Sequence, residues 1–247
     1  MTKENIYFAS DFHLGSPNLE ESHKREKLIV SWLTSIEKDA KAIYLVGDIF
    51  DFWFEYKKVI PKGFVRLLGK LAELTDKEIA VHLFVGNHDL WMQNYLTEEV
   101  GITIHHKPIV VEEQNKKLFI GHGDGLGSGD YLYKLLKQVF FTSKVCQFLF
   151  ARLHPNFSLS LAHTWSKSSR KSSEVPFASK DKELLFGYCE KMQKNNPVDY
   201  YVFGHRHIPL ELKVDEKATY INLGEWLSQN TYGVLEEGKL NLKTYNK

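Results

Sequence analysis

Short apolar runs recur along the chain, and each ends at a glycine or small residue followed by polar residues. Five runs predict buried strands, because they are brief, continuous and rich in β-branched and aromatic residues. They are residues 6–10, 42–46, 79–85, 118–120 and 200–203. In open α/β sheets, ligands bind beyond the carboxyl ends of such strands. The pattern therefore predicts one site assembled from five strand ends.

Two segments between these runs carry the apolar period of amphipathic helices, residues 20–38 and 64–74. The C-terminal stretch alternates as hairpins do, in residues 218–223, 231–235 and 240–245. Strands with covering helices indicate a mixed α/β or α+β fold, in which two packed sheets are flanked by helices.

Residues 130–175 do not follow the pattern of short apolar runs that end in polar residues. They have apolar positions at helical spacing, followed by a Ser/Lys/Arg-rich stretch at 166–173. They predict a helical insertion within a single domain that spans residues 1–247. Two interpretations stay open. In one, the insertion is a hairpin packed on the core, with Leu135, Leu136, Val139 and Phe140 buried. In the other, it is a lid whose apolar and basic surface meets a lipid.

Composition excludes several classes of protein. The chain has 247 residues and is 43% apolar, enough for a sizeable core. A net charge of +1 gives no support for general nucleic-acid affinity, and no nucleic-acid partner is expected. The two cysteines, Cys146 and Cys189, lie far apart, which suits a reducing compartment. Without a signal-like stretch or an 18-residue apolar segment, we expect a cytoplasmic protein.

The polar residues at the five strand ends are of metal-binding types. They are Asp11 and His13, Asp48, Asn87, His122, and His205 with His207. In an extended segment, the spacing of Asp11 and His13 would point both side chains to one side. Carboxylate, amide oxygen and imidazole together suit manganese, iron, zinc or magnesium. Two such ions about 3.5–4 Å apart would clamp a phosphoryl oxygen and generate hydroxide, which predicts phosphoester hydrolysis.

Each cluster alone can be explained as ordinary loop structure with no chemical role. Gly47-Asp48 after a strand is a common turn signal, and residues 204–207 can be a solvated basic loop. Their joint occurrence, each at the end of a predicted strand, favours the chemical interpretation.

The five motifs together resemble the calcineurin-type metallophosphoesterase superfamily. They are residues 11–13, 47–51, 86–89, 121–124 and 204–207. The resemblance implies a four-layer αββα sandwich with two divalent metal ions. It implies one metal on Asp11, His13, Asp48 and His207, and a second on Asp48, Asn87, His122 and His205. It places His88 near the leaving-group oxygen as general acid or charge stabiliser, supported by Asp89 or Asp51.

A narrower resemblance is to the UDP-2,3-diacylglucosamine pyrophosphatases of lipid A synthesis. It is carried by residues 11–15, 50–54, 122–124 and 130–131. That family releases UMP and 2,3-diacylglucosamine 1-phosphate, typically with manganese, at the cytoplasmic face of the inner membrane. The resemblance implies that the 130–175 insertion is a cap over a lipid-linked sugar nucleotide. The substrate-binding residues it implies are Asn87, Asp130, Tyr133, Ser166, Arg170, Lys171 and His205.

Better-known members of that narrower family have arginine after the motif asparagine, where this chain has His88. Arg206 is a candidate for supplying a compensating guanidinium. Two alternatives stay open. One is a phosphoesterase for another phosphodiester, a nucleotide or a phosphoprotein, and the other is a non-catalytic interaction module on the same scaffold.

Overall fold

The structure is a computed structural model that describes residues 3–127, 134–135, 137–158, 166 and 177–246. Within these residues the strands are β1 (Asn5–Ala9), β2 (Ala40–Val46), β3 (Ala80–Phe84), β4 (Thr103–His105), β5 (Ile109–Glu113), β6 (Lys116–Ile120), β7 (Tyr200–Phe203), β8 (Pro209–Lys213), β9 (Thr219–Leu223), β10 (Thr231–Glu236) and β11 (Lys239–Thr244). The helices are α1 (Leu19–Ile36), α2 (Val65–Asp76), α3 (Tyr95–Val100), α4 (Lys144–Phe150) and α5 (Leu184–Asn195), with a π-helical turn at Lys137–Phe141 and a 3₁₀ turn at Lys180–Lys182.

The described strands form two sheets. The first has the order β11-β10-β1-β2-β3-β4, with β1 to β4 parallel. The second has the order β5-β6-β7-β9-β8, with β6, β7 and β9 parallel. In each sheet the parallel strands therefore end on the same side, and the motifs lie in the loops that follow these carboxyl ends.

The predicted C-terminal hairpins are divided between the two sheets. Strands β10 and β11 form a hairpin in the first sheet, and β9 forms one with the preceding strand β8 in the second. All five residues of β9 are buried, and β9 also pairs with β7, so this strand lies inside its sheet.

Three apolar layers confirm the αββα arrangement. Alternate residues of β1 face opposite ways, so that Ile6 and Phe8 pack between the sheets while Tyr7 and Ala9 pack beneath the helices. Helices α1 and α2 cover the outer face of the first sheet, where Trp32 and neighbouring side chains are fully buried. Helix α5 covers the outer face of the second sheet.

The described part of the insertion lies against the core through aromatic contacts. The ring of Phe150 in α4 lies 4.6 Å from Trp91 and 4.9 Å from Phe54, between ring centroids. The indole N–H of Trp91 donates to the carbonyl oxygen of Phe141 (2.6 Å). Helix α4 itself has no buried residue.

The interpretation of the insertion as ordinary core is wrong for its described residues. Leu135, Val139 and Phe140 are 58%, 62% and 50% exposed, and Leu136 lies outside the described residues. Among the described residues, α4 contacts the core through the Phe150 ring, and the π-helical turn does so through the carbonyl oxygen of Phe141. In the described part of the chain, no helix has the length and apolar character needed to cross a bilayer.

Candidate metal centre

The predicted ligands follow the carboxyl ends of five strands that lie in two different sheets. Asp11 and Asp48 follow β1 and β2, Asn87 follows β3, His122 follows β6, and His205 with His207 follow β7. Hydrogen bonds join these loops directly. The N–H of His13 donates to the carbonyl oxygen of Asp48 (2.9 Å), and the N–H of His205 donates to Asp11 Oδ2 (3.0 Å). The structure thus brings all seven predicted ligand residues together.

The predicted ligand atoms form two groups, and among the described residues His13 also belongs to a third group with Asp51 and His88. In the first, Asp11, His13 and His207 have ligand atoms within 4.8 Å of one another, and in the second Asp48, His122 and His205 do. Asp48 Oδ2 lies 3.3 Å from His122 Nε2 and 3.8 Å from His13 Nε2, so it faces both groups. Asn87 Oδ1 lies 3.2 Å from His122 Nε2.

The arrangement fits divalent cations. His13 Nε2 and His207 Nε2 are only 3.0 Å apart. Since metal–nitrogen bonds are about 2.0–2.1 Å long, two nitrogens bound at a right angle to one ion lie about 3 Å apart. Asp11 Oδ1 is fully buried and, among the described residues, has no hydrogen-bond partner. A cation bound to His13 Nε2, His207 Nε2 and Asp11 Oδ1 would satisfy all three atoms.

Buried charges also favour a cation here. Burial opposes ionisation of Asp11 and Asp48, yet the surrounding histidines hold the pKa of both carboxyls well below the usual range. Burial opposes a charge on His122 as well, but Asp48 raises its pKa to about 10. Burial lowers the pKa of His205 to about 4, which leaves that imidazole neutral and able to bind a metal.

Five predicted ligands have left-handed backbone conformations, with φ of 55° at Asp11, 44° at His13, 53° at Asp48, 70° at His205 and 53° at His207. The expectation that Asp11 and His13 lie on extended backbone is therefore wrong. Their loop turns sharply so that both side chains reach one point. Such conformations cost about 1–3 kcal/mol each and cluster at functional sites.

Glycines in three motifs make room for ligands from other motifs. A Cβ on Gly47 would overlap the His122 ring, one on Gly86 would overlap Asp48, and one on Gly204 would lie 2.5 Å from Asp11 Oδ2. These glycines are therefore required by close approach between loops, in addition to any local turn.

His88 lies at one end of the centre with Asp51 and Ser166. Its Nδ1 is 2.9 Å from Ser166 Oγ and 3.2 Å from the carbonyl oxygen of Asp51, and its Nε2 is 4.0 Å from Asp48 Oδ2. Burial lowers the pKa of His88 to about 4, so the imidazole is neutral. The other predicted substrate residues, Asp130, Tyr133, Arg170 and Lys171, lie outside the described residues.

Asp89 connects two of the motif loops. Gly86 N–H donates to its Oδ1 (2.7 Å), and Ile49 N–H donates to its Oδ2 (2.8 Å). Burial and the nearby Asp48 raise its pKa to about 7. Asp89 thus holds the loops after β2 and β3 together, and its support of His88 stays a prediction.

Sequence reasoning missed one support of the site, Arg25, and the partner of Arg206. Arg25 of α1 is buried, and its guanidinium donates to the carbonyl oxygens of His13 (2.8 Å) and Ser16. The sequence did offer an indication of this role, because Arg25 lies four residues before Ile29 and so on the apolar face of the helix. Arg206 Nε donates to both carboxylate oxygens of the buried Glu183 (3.1 Å each), a contact between distant segments with no local signal.

Replacing Arg25 with methionine is expected to loosen the Asp11–His13 loop. Two buried carbonyl oxygens lose a charged donor, which lowers the free energy of unfolding by about 2 kcal/mol and Tm by roughly 4–8 °C. Thermal unfolding and metal titration measure the effect. Lys27→Met, an exposed change on the same helix, is the control, and equal behaviour of the two variants would remove this role from Arg25.

Comparison with known proteins agrees with this geometry. The model of the family described as calcineurin-like phosphoesterase matches residues 4–209. A UDP-2,3-diacylglucosamine hydrolase of Porphyromonas gingivalis is 36% identical over 98% of this chain and 98% of its own. One of Histophilus somni is 26% identical over 90% of this chain and 92% of its own. Among solved structures, the phosphoesterase Yfce from E. coli covers 97% of this chain and 92% of its own, at 15% identity and a TM-score of 0.48. The chain belongs to the calcineurin-like phosphoesterase family.

Proposed function

We propose that this protein hydrolyses the pyrophosphate bond of UDP-2,3-diacylglucosamine to UMP and 2,3-diacylglucosamine 1-phosphate. The observation that carries the hydrolytic chemistry is the pair of His/Asp groups that Asp48 connects, since its Oδ2 faces His122 of its own group and His13 of the other. The substrate is supported by the similarity to the Porphyromonas gingivalis hydrolase, which extends over 98% of both chains.

Asp11, His13, Asp48 and His207 would hold one divalent ion, and Asp48, Asn87, His122 and His205 would hold the other. When bound, two such ions polarise the phosphoryl oxygens and make hydroxide accessible at neutral pH. Manganese is our first choice, and the nitrogen and oxygen donors equally suit zinc, iron or magnesium.

His88 acts on the substrate as a neutral hydrogen-bond donor. At His88 Nδ1 the Asp51 carbonyl oxygen only accepts, whereas the Ser166 hydroxyl can donate. We assign the tautomer in which Ser166 donates to Nδ1 and the proton of the ring resides on Nε2, the nitrogen that faces Asp48. An N–H at this position stabilises the charge that develops on a phosphoryl or leaving-group oxygen. His88 would thereby serve where related enzymes use arginine, and Ser166 would orient it.

The function is tested by measuring UMP release from UDP-2,3-diacylglucosamine by the purified protein with Mn²⁺. We expect UMP and 2,3-diacylglucosamine 1-phosphate in equal amounts, and much slower cleavage of UDP-glucosamine and of bis(p-nitrophenyl) phosphate. If no UMP is released with any of Mn²⁺, Zn²⁺, Fe²⁺ and Mg²⁺, the proposal is wrong. Preference for the small aryl diester would favour a phosphoesterase with another substrate.

Residues 130–175 form a cap within one domain and bring the protein to the inner face of the membrane. The support is a set of apolar side chains in the described cap that are at least half exposed: Leu135, Val139, Phe140, Val145, Phe148, Leu149 and Phe157. Basic residues accompany them, and the Arg152 guanidinium lies 4.4 Å from the centre of the Phe148 ring. Apolar surface with flanking cations is the combination that binds anionic bilayers.

The double variant Phe148→Ser/Leu149→Ser is expected to bind vesicles of anionic phospholipid at least about thirtyfold more weakly than the unchanged protein. Each replaced side chain loses roughly 1–2 kcal/mol of apolar transfer energy, since it is already partly covered. Vesicle sedimentation measures the change. Leu19→Ser is the matched control, because Leu19 is 67% exposed on α1 while Leu149 is 60% exposed on α4. Equal partitioning of all three proteins would contradict membrane docking through this surface.

A further inference from the structure

A cavity of about 350 Å³ lies beside the metal centre, and His122 belongs to both. Its walls come from the end of β3, the turn after β4, the loop after β6 and two residues of the cap. The residues on which the inference depends are His105, Lys107, Pro108, Asp124 and Lys134. The volume is near the lower end of the range for small-molecule sites, which suits one compact group better than two acyl chains.

The walls of this cavity combine three kinds of chemistry. Lys107 and Lys134 supply positive charge, Lys107 from an exposed turn and Lys134 from the cap. Asp124 supplies a buried carboxylate, 8% exposed. The His105 ring stacks on Phe84, with ring centroids 4.7 Å apart, and Pro108 adds a second flat surface. Flat surfaces suit a base, a carboxylate suits ribose hydroxyls, and cations suit a phosphate.

The opposite end of the centre is different in character. There His88 contacts Ser166 of the cap. Trp91, three residues after His88, belongs to an aromatic cluster. Its ring centroid lies 4.6 Å from that of Phe150 and 6.2 Å from that of Phe52. The two ends of the centre thus match the two halves of a pyrophosphate that joins a nucleotide to a lipid-bearing sugar. The apolar end suits the lipid half, and the cationic cavity suits the nucleotide half.

We propose that the cavity between His105, Lys107, Asp124 and Lys134 binds the nucleoside monophosphate half of the substrate. Its phosphate lies toward His122, its ribose hydroxyls donate to Asp124, and its base rests against His105 and Pro108. This inference rests on the proposed function, because it assigns one half of that substrate to one end of the same centre.

The test is calorimetric titration of the Mn²⁺-loaded protein with UMP, ribose 5-phosphate and inorganic phosphate. We expect UMP to bind at least about tenfold more tightly than inorganic phosphate. His105→Ala removes a wall and is expected to weaken UMP about tenfold while inorganic phosphate is unaffected. Lys107→Glu reverses an exposed charge on the rim and is expected to weaken both UMP and inorganic phosphate about tenfold. Lys38→Glu, an exposed change just beyond the C-terminal end of α1, is the control for net charge.

The inference is overturned if UMP and inorganic phosphate bind alike, or if both variants bind UMP within about twofold of the unchanged protein. Its failure is distinct from failure of the proposed function. If the diacyl sugar nucleotide is cleaved but neither variant weakens UMP, the subsite is wrong and the function stands. If that substrate is not cleaved but both variants weaken UMP, the cavity is a nucleotide site and the proposed substrate is wrong.

Discussion

Asp48→Asn is expected to lower kcat/KM by about 10³-fold or more and to reduce bound metal from two ions per chain to at most one. Asp48 is 1% exposed, and its Oδ2 faces the ligand atoms of both groups. Its Oδ1 accepts from the N–H of His88 (2.9 Å). Asparagine preserves the volume and one acceptor but removes the negative charge that two cations would share. Steady-state kinetics and metal analysis of the purified protein measure both effects.

The control for Asp48→Asn is Asp76→Asn, the same chemical change at an exposed position at the end of α2. Its kinetics and metal content are expected to match those of the unchanged protein. Two bound ions and normal turnover in Asp48→Asn would show that Asp48 is not a shared ligand. Full retention of a biological role without turnover would instead favour the non-catalytic interaction module.

Gly86→Ala is expected to reduce kcat/KM by about 10²-fold or more, because displacement of a catalytic group by about 1 Å has effects of this size. The added Cβ would overlap both Oδ1 and the backbone nitrogen of Asp48. Asp48 cannot move aside easily, since its backbone is already left-handed with φ of 53°. The crowding is also expected to lower the free energy of unfolding by about 1–3 kcal/mol.

Gly69→Ala is the matched control for Gly86→Ala. Gly69 lies within α2, and an added Cβ there meets no atom within 4 Å. Alanine is favoured over glycine inside a helix by about 0.5–1 kcal/mol, so this variant is expected to unfold at a slightly higher temperature with unchanged kinetics. If Gly86→Ala had the same kinetics as Gly69→Ala, the explanation of motif glycines as room for ligands would be wrong.

Much of the site could be predicted because its information is local. Each ligand follows its own strand by two to four residues, so an apolar run and the polar residues after it indicate both the strand and the ligand. Parallel strands then bring their carboxyl ends to one edge. His88 and Asp89 came from the family resemblance, which is carried by the same motif after β3.

Features that depend on distant contacts could not be predicted. The sequence of β9 does not reveal that β7 and β8 flank it, because a strand with five buried residues suits the interior of either sheet. The spacing of Asp11 and His13 is compatible with extended backbone, and the left-handed turn follows from hydrogen bonds to the loop after β2. The apolar cap residues have helical spacing whether they face a core or solvent.

By itself, the sequence determined the αββα class, the identity of the candidate ligands and the hydrolytic chemistry that they indicate. These follow from side-chain type and from periodicity within single elements, which short-range sterics and burial control. Only the tertiary structure decided the left-handed backbone of the ligand loops, the need for glycine at positions 47, 86 and 204, and the different character of the two ends of the centre. These are set by how closely separate loops approach, and that distance depends on the packing of both sheets at once.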